Sequence, residues 1–229
     1  MSLYLVATPI GNLDDMTHRA IKTLNEVDLI AAEDTRHSKK LLNHYEITTP
    51  MVSYHSHSGQ GKVDKIIDDL VSGKSVALIS DAGTPGISDP AWGLVQAALE
   101  AKIEIIPIPG ASAFLTALMG SGLPMNQFTY LGFIPAKKGR QTLFESLKET
   151  TRTTVLYESP HRLLKSLSQM NEILGEDRVV VVARELTKLH ETFHRGTLGE
   201  LLESFSEKKP KGEMVILVAP SNFVYRSND

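Results

Sequence analysis

Residues 76–90 read Val-Ala-Leu-Ile-Ser-Asp-Ala-Gly-Thr-Pro-Gly-Ile-Ser-Asp-Pro, and the change of character along this stretch decides the fold. A short apolar run with β-branched residues predicts a strand. Glycines, prolines and polar residues then make a loop. Asp89-Pro90 closes it and opens a helix, with the aspartate as N-cap and the proline at the first helical position. Strand, loop and helix in that order are half of a βαβ unit.

The same alternation recurs on both sides. Strands are predicted over 3–7, 29–32, 51–54, 76–80 and 103–107. Between them Ile21, Leu24 and Val27 recur at helical spacing behind Thr17 as N-cap. Val63, Ile66, Ile67 and Leu70 do so behind Gly61, and Gly73 closes that helix. Ser121-Gly-Leu-Pro-Met-Asn126 marks a boundary. Beyond it strands are predicted over 129–133, 154–157, 179–183, 192–195 and 214–218, with a helix starting at Ser159-Pro160. The expected fold class is α/β with a largely parallel sheet, arranged as two α/β domains over 1–120 and 127–229. A ligand cleft is expected between the domains or at the carboxyl ends of the first sheet.

Composition narrows the function. The chain has 229 residues, 41% hydrophobic and 22% charged, an ordinary folded balance. No apolar run approaches the roughly 18 residues of a membrane helix. The apolar start at 3–7 stops at Pro9, as a strand does and a signal peptide does not. Absence of cysteine excludes disulfides, thiolate metal sites, cysteine nucleophiles and iron–sulfur clusters. A cytoplasmic protein without membrane attachment is the expectation. The net charge of −3 is unevenly spread: residues 1–126 carry 9 Lys+Arg against 14 Asp+Glu, residues 127–229 carry 15 against 13. A basic patch on the second half stays open.

Three loops follow predicted strands where open α/β sheets bind ligands: Thr8-Pro-Ile-Gly-Asn-Leu13, residues 80–90, and Pro109-Gly-Ala-Ser-Ala113. Glycines admit a ligand close to the backbone and prolines hold the loop rigid. One such loop can be mere punctuation; three on one sheet edge favour a small-molecule site. No G-x-G-x-x-G follows the first strand, and Gly61-Lys62 is followed by Val63, so Rossmann-type NAD binding and P-loop chemistry lose their support.

Ala7-Thr-Pro-Ile-Gly-Asn-Leu13, Ala32-Glu-Asp-Thr-Arg36, the 81–90 loop, Pro109-Gly-Ala-Ser112 and Tyr157-Glu-Ser-Pro-His161 together resemble the tetrapyrrole methylase family. Within it they resemble the branch that methylates a cytidine ribose 2′-oxygen in small-subunit (16S) ribosomal RNA. The resemblance runs from the first strand to 214–218. It implies a methyltransferase dependent on S-adenosyl-L-methionine, with the cofactor in the cleft between two α/β domains. It also implies a homodimer and 16S rRNA of the small ribosomal subunit as partner. The implied cofactor contacts are Pro9, Gly11, Asp81, Ala82, Gly83, Ile87, Ser88, Ser112, Ala113, Tyr157, Glu158, Arg184 and Glu185. Two departures stand out. The tetrapyrrole-methylating relatives carry a Gly-rich first loop where this chain has Thr8-Pro-Ile-Gly11, which favours the RNA branch. After Tyr54-His-Ser-His57, Ser58-Gly59 stands where Asn-Glu is expected.

Glu33, Asp34 and Arg36 are the candidate catalytic residues. They admit two readings: Thr35 as N-cap with carboxylates favoured by the helix dipole, or two carboxylates and an arginine facing the cleft to handle a ribose hydroxyl and a phosphate. Expected RNA contacts are Arg36, His37, His55, His57, Lys137, Lys138, Arg140 and His161, the basic run 137–140 being the densest in the chain. His55 and His57 lack a third ligand, so no metal is expected. Tyr130 and Phe133 are either core or base-stacking residues. Three functions compete: the RNA ribose methyltransferase, a tetrapyrrole methyltransferase whose acidic substrate also suits arginines, and a non-catalytic ribosome-binding relative. The 32–36 motif counts against the second and the three cofactor loops against the third.

Overall fold

A computed structural model describes residues 1–55, 58–207 and 210–224. Its contacts divide the chain into two units, Met1–Ser112 and Ala113–Asp229. The division precedes a helix over Ala113–Ser121, so residues 113–120 group with the second unit and not with the first.

The first unit holds strands β1 (Ser2–Val6), β2 (Leu29–Ala32), β3 (Met51–Ser53), β4 (Val76–Ile79) and β5 (Glu104–Ile108), with helices α1 (His18–Glu26), α2 (Thr35–His44), α3 (Gln60–Val71) and α4 (Ala91–Glu100). The strand order is β3-β2-β4-β1-β5, and every pair is parallel. Central β4 is buried along its whole length, as expected for a strand covered on both faces. One face packs Leu24 of α1 and Leu41 and Leu42 of α2 on Ile30 and Ile79. The other packs Leu70 of α3 and Leu94 of α4 on Leu78. The connections leaving β1 and β2 therefore cross one face, and the connection leaving β4 crosses the other. The carboxyl end of β4 is a topological switch point, the place where such sheets open a crevice.

Local chemistry sets the helix ends. The Thr17 hydroxyl accepts the N–H of Ala20, and Gly73 takes the left-handed conformation just past α3 with φ +101°. The helix predicted at Asp89-Pro90 begins one residue later, at Ala91. Pro90, not Asp89, therefore stands at the N-cap, and no side chain makes a cap bond there; Asp89 Oδ1, one residue further out, accepts the N–H of Ala91 (3.2 Å) and that of Gly86 (2.6 Å).

The second unit comprises α5 (Ala113–Ser121), β6 (Phe128–Phe133), α6 (Arg140–Ser146), β7 (Thr153–Glu158), α7 (Leu163–Leu174), β8 (Val179–Arg184), β9 (Thr192–Thr197), α8 (Leu198–Glu207) and β10 (Met214–Val218). Its order is β6-β7-β10-β8-β9, with only β6 and β7 parallel. The expectation of a largely parallel sheet thus holds for the first unit alone. The link from β8 to β9, residues 185–191, is shorter than the dozen residues a parallel crossover requires, so β9 turns back antiparallel. At Ser159-Pro160 a turn precedes α7: the Arg162 N–H binds the Ser159 carbonyl, and the helix starts at Leu163. Phe144, Leu156, Leu167 and Ile216 centre this unit's core.

Candidate functional site

All five strands of the first sheet are parallel, so their carboxyl ends share one edge, and the three predicted loops meet there. Thr8 and Gly83 exchange backbone hydrogen bonds of 2.9 and 3.0 Å. The Thr8 hydroxyl donates to the Ser80 carbonyl (3.2 Å), and the Thr84 hydroxyl to that of Ala111 (3.1 Å). Gly110 lies so close to Ala7 that an added Cβ would fall 2.9 Å from the Ala7 Cβ. Gly83 has φ +83°, a conformation costly to residues with a side chain. The loops after β1, β4 and β5 are thereby bonded into one platform. Of the predicted cofactor contacts, Gly83 and Ser112 are buried in it, Pro9 and Asp81 are half-buried, and Gly11, Ala82, Ile87 and Ser88 are exposed at its surface.

The end of β2 supplies the carboxylates. The Asp34 N–H donates to Asp81 Oδ1 (2.9 Å), fastening β2 to the β4 loop. Asp34, not Thr35, is the N-cap of α2: its Oδ1 accepts the Arg36 N–H at 2.8 Å. The Arg36 guanidinium folds back onto the same carboxylate at 3.0 Å, and these bonds, the guanidinium's first, hold the Asp34 pKa down to about 2. The Arg36 side chain is otherwise 91% exposed.

Glu33 is different. Burial pushes its carboxyl above the ordinary glutamate value, and the charges of Asp81 and Asp89 add to the rise; the Asp81 N–H and His55 oppose it. The carboxylate borders a small recess lined by Tyr54, Ser80, Asp89 and Pro90, where the Tyr54 hydroxyl donates to the Pro90 carbonyl (3.3 Å). Glu33 therefore has a raised proton affinity and, unlike Asp34, does not cap α2. Its recess partners Tyr54 and Asp89 are absent from the sequence-level candidates. Asp89 reads there only as a cap, although an aspartate closing a Gly/Pro loop at a strand end is the available signal. His55 is half-buried beyond β3, His37 is exposed on α2, and His57 lies outside the described residues. Among the described residues no group of three His, Asp or Glu side chains could hold a metal ion.

The second unit corrects several expectations. Arg140 is no surface cation: it is 5% exposed. Its guanidinium donates to Gln169 Oε1 (2.6 Å), Ser166 Oγ (2.6 Å), the Pro135 carbonyl (3.1 Å) and Glu158 Oε2 (3.3 Å). Glu158, expected to meet the cofactor, is 2% exposed. Its Oε1 takes Arg162 (2.6 Å) and the Ser159 N–H (2.7 Å), while its Oε2 takes Arg140 and the Ser166 hydroxyl. A buried charge must be paired and hydrogen-bonded, and this cluster leaves neither side chain free for a ligand.

Arg184 and Glu185 are likewise engaged within the unit. Arg184 donates to the carbonyls of Lys211 (2.6 Å) and His190 (3.2 Å). The Glu185 carboxylate accepts the Glu213 N–H (2.9 Å) and Lys188 Nζ (3.1 Å). Both brace the 185–191 loop. The Tyr157 hydroxyl accepts the Phe114 N–H (3.2 Å), just after half-buried Ala113. Tyr130 stacks on Phe114 with centroids 4.6 Å apart, so it belongs to this aromatic cluster. Phe133 meets Tyr157 only edge-on and is 58% exposed. Lys137, Lys138 and His161 are exposed.

Comparison with known proteins adds the following. The family model described as Tetrapyrrole (Corrin/Porphyrin) Methylases matches residues 2–202. A protein named Ribosomal RNA small subunit methyltransferase I from Synechocystis is 55% identical over 218 residues, 95% of this chain and 78% of its own. Its namesake from Halalkalibacterium halodurans is 53% identical over 218 residues, 95% of this chain and 75% of its own. The solved structure of a cobalamin biosynthetic enzyme, cobalt precorrin-4 methyltransferase, has a TM-score of 0.69 with this chain, covering 95% of it and 94% of the other, at 18% identity. At that identity the likeness is one of fold.

Proposed function

The chain belongs to the tetrapyrrole methylase family, and from that membership we propose that it methylates small-subunit (16S) ribosomal RNA with S-adenosylmethionine, at the 2′-oxygen of a cytidine ribose. The observation that carries the proposal is identity above 50% over 95% of the chain to two relatives named for that RNA. The tetrapyrrole-modifying relative shares 18%. The Thr8-Pro-Ile-Gly11 loop supports the same choice.

The first unit's platform suits this cofactor. Its backbone N–H and C=O groups are held rigid by the Thr8–Gly83 bridge. The Glu33, Asp81 and Asp89 carboxylates nearby complement a cofactor that carries positive charge on sulfur and on its amino group. Pro9, Gly11, Asp81 to Gly83, Ile87, Ser88 and Ser112 would hold it. S-adenosylmethionine supplies an electrophilic methyl group on a sulfonium. The ribose 2′-oxygen that takes this methyl group in place of the sulfur would shed its hydroxyl proton. Glu33 receives that proton, being the carboxylate whose proton affinity is raised. Asp34 holds Arg36 at the start of α2, and Arg36 meets an RNA phosphate. Displacement at a sulfonium depends on in-line alignment more than on base strength, so positioning supplies most of the rate. Lys137, Lys138 and His161 belong to the proposal as RNA contacts; Arg140 and Glu158 do not.

The proposal includes a cytoplasmic homodimer, which light scattering at working concentrations tests. The function itself is tested by offering methyl-labelled cofactor with small subunits that lack the modification and, separately, with a tetrapyrrole. Label in the RNA as 2′-O-methylcytidine is expected. Label in the tetrapyrrole, or none in the RNA, overturns the proposal.

A further inference from the structure

We infer that the exposed face of α2 is a phosphate-binding surface along which the RNA strand lies as it reaches the first unit's site; the inference rests on the rRNA reading above. Helix α2 starts at that site, since its N-cap Asp34 follows Glu33 and is bonded to Asp81. At 100° per residue, Arg36, Lys39, Lys40, Asn43 and His44 fall on one side of the helix. All five are exposed, whereas Ser38, Leu41 and Leu42 on the opposite side are buried.

A basic helix face is ordinarily just solvated, and three observations set this one apart. First, α2 contains no acidic residue. On the other lysine-bearing helices of the first unit the lysines travel with acids: Lys22 pairs with Glu26 on α1 at 3.9 Å, and Lys62 and Lys65 share α3 with Asp64, Asp68 and Asp69. Lys39 and Lys40 have no ion-pair partner among the described residues. Second, the placement opposes helix stability. Arg36 and Lys40 are like charges four residues apart, and Arg36 stands in the first turn, where the helix dipole disfavours a cation. Asp34 answers Arg36; among the described residues no acid answers Lys39 or Lys40. Third, the cations run against their surroundings: residues 1–126 hold 9 Lys+Arg against 14 Asp+Glu, and Arg36, Lys39 and Lys40 are three of the nine. Positive charge concentrated on one ridge, leading away from the carboxylates, suits a polyanion whose reacting nucleotide sits at the strand ends. Contacts to phosphate position such a strand without reading its sequence.

The test is the Lys39→Gln/Lys40→Gln double variant, with Lys62→Gln/Lys65→Gln as control. Binding to small subunits lacking the modification is measured across salt concentrations. The α2 variant should lower the slope of log affinity against log salt by about two units, one per lost phosphate contact, and weaken binding on the order of tenfold at moderate salt. The KM for subunits should rise in step, with cofactor affinity unchanged in calorimetry. The α3 control should behave as wild type. An α2 variant with the wild-type slope and KM overturns the inference while the rRNA reading stands. A wild-type protein with no salt-dependent binding to subunits overturns both.

Discussion

Glu33 follows β2 and Glu158 ends β7, and each has an arginine three or four residues further along the chain, Arg36 and Arg162. Glu158 is closed off: Arg140, Arg162, Ser166 and the Ser159 N–H occupy both of its oxygens, and no water reaches it. Around Glu33 the charges that raise its proton affinity are carboxylates, and Arg36 turns to Asp34 instead. The first arrangement fastens β7, α6 and α7 together. The second leaves a half-buried acid at a sheet's switch point with a raised proton affinity. An acid followed by an arginine carries no role by itself; the number of partners that converge on it decides whether it is scaffold or site.

That contrast can be broken at several points. Removing one partner of the closed cluster has the largest effect, because a buried charge is stranded. Arg140→Ala should cost about 3–5 kcal/mol of stability, seen as a lower denaturation midpoint. A variant as stable as wild type would mean that the cluster is not closed. Gly83→Ala comes next. Forcing a side chain into φ +83° should cost about 1–2 kcal/mol, and displacing the Thr8 bridge should weaken cofactor binding in calorimetry.

Glu33→Gln sharpens the comparison through pH. A carboxyl raised in the folded state binds its proton more tightly there than in the unfolded chain. Wild-type stability should therefore fall as pH climbs from the ordinary glutamate value through the raised one. The glutamine variant should melt slightly above wild type at neutral pH, with the difference gone below the ordinary glutamate range, and it should transfer methyl more slowly in single-turnover assays. Equal melting at both pH values would place Glu33 in water.

The smallest effect belongs to Asp34→Asn. Asparagine caps a helix as well as aspartate does, so stability at neutral pH should barely change. Because asparagine cannot pair with Arg36, the variant's small deficit at neutral pH should vanish as pH falls from the ordinary aspartate value towards about 2, where the wild-type carboxyl is protonated.

The strands were the legible part. β2 and β10 coincide with their predicted limits, and the other eight lie within two residues of theirs, because apolar runs and Gly/Pro breaks are local signals. The platform was legible for the same reason. The burial of Arg140 was not. Residues 137–140 look uniform, but Gly139 at φ +85° turns the chain so that Arg140 begins α6 facing inward while both lysines stay in solvent. Its side-chain partners lie 18 to 29 residues away, beyond any local pattern. Thr35 and Asp34 are both competent caps, and the choice between them accompanies a bond from Asp34 to Asp81, 47 residues on. Strand direction in the second sheet likewise depends on where β10 inserts.

Hydrogen exchange with and without S-adenosylmethionine tests the central claim, that the methyl-transfer site is the carboxyl edge of the first sheet and the Glu158 cluster is scaffold. The cofactor should slow exchange at amides of residues 8–12, 81–89 and 110–112 and leave residues 158–166 unchanged. Protection confined to 158–166, with the three loops exchanging as before, would contradict it.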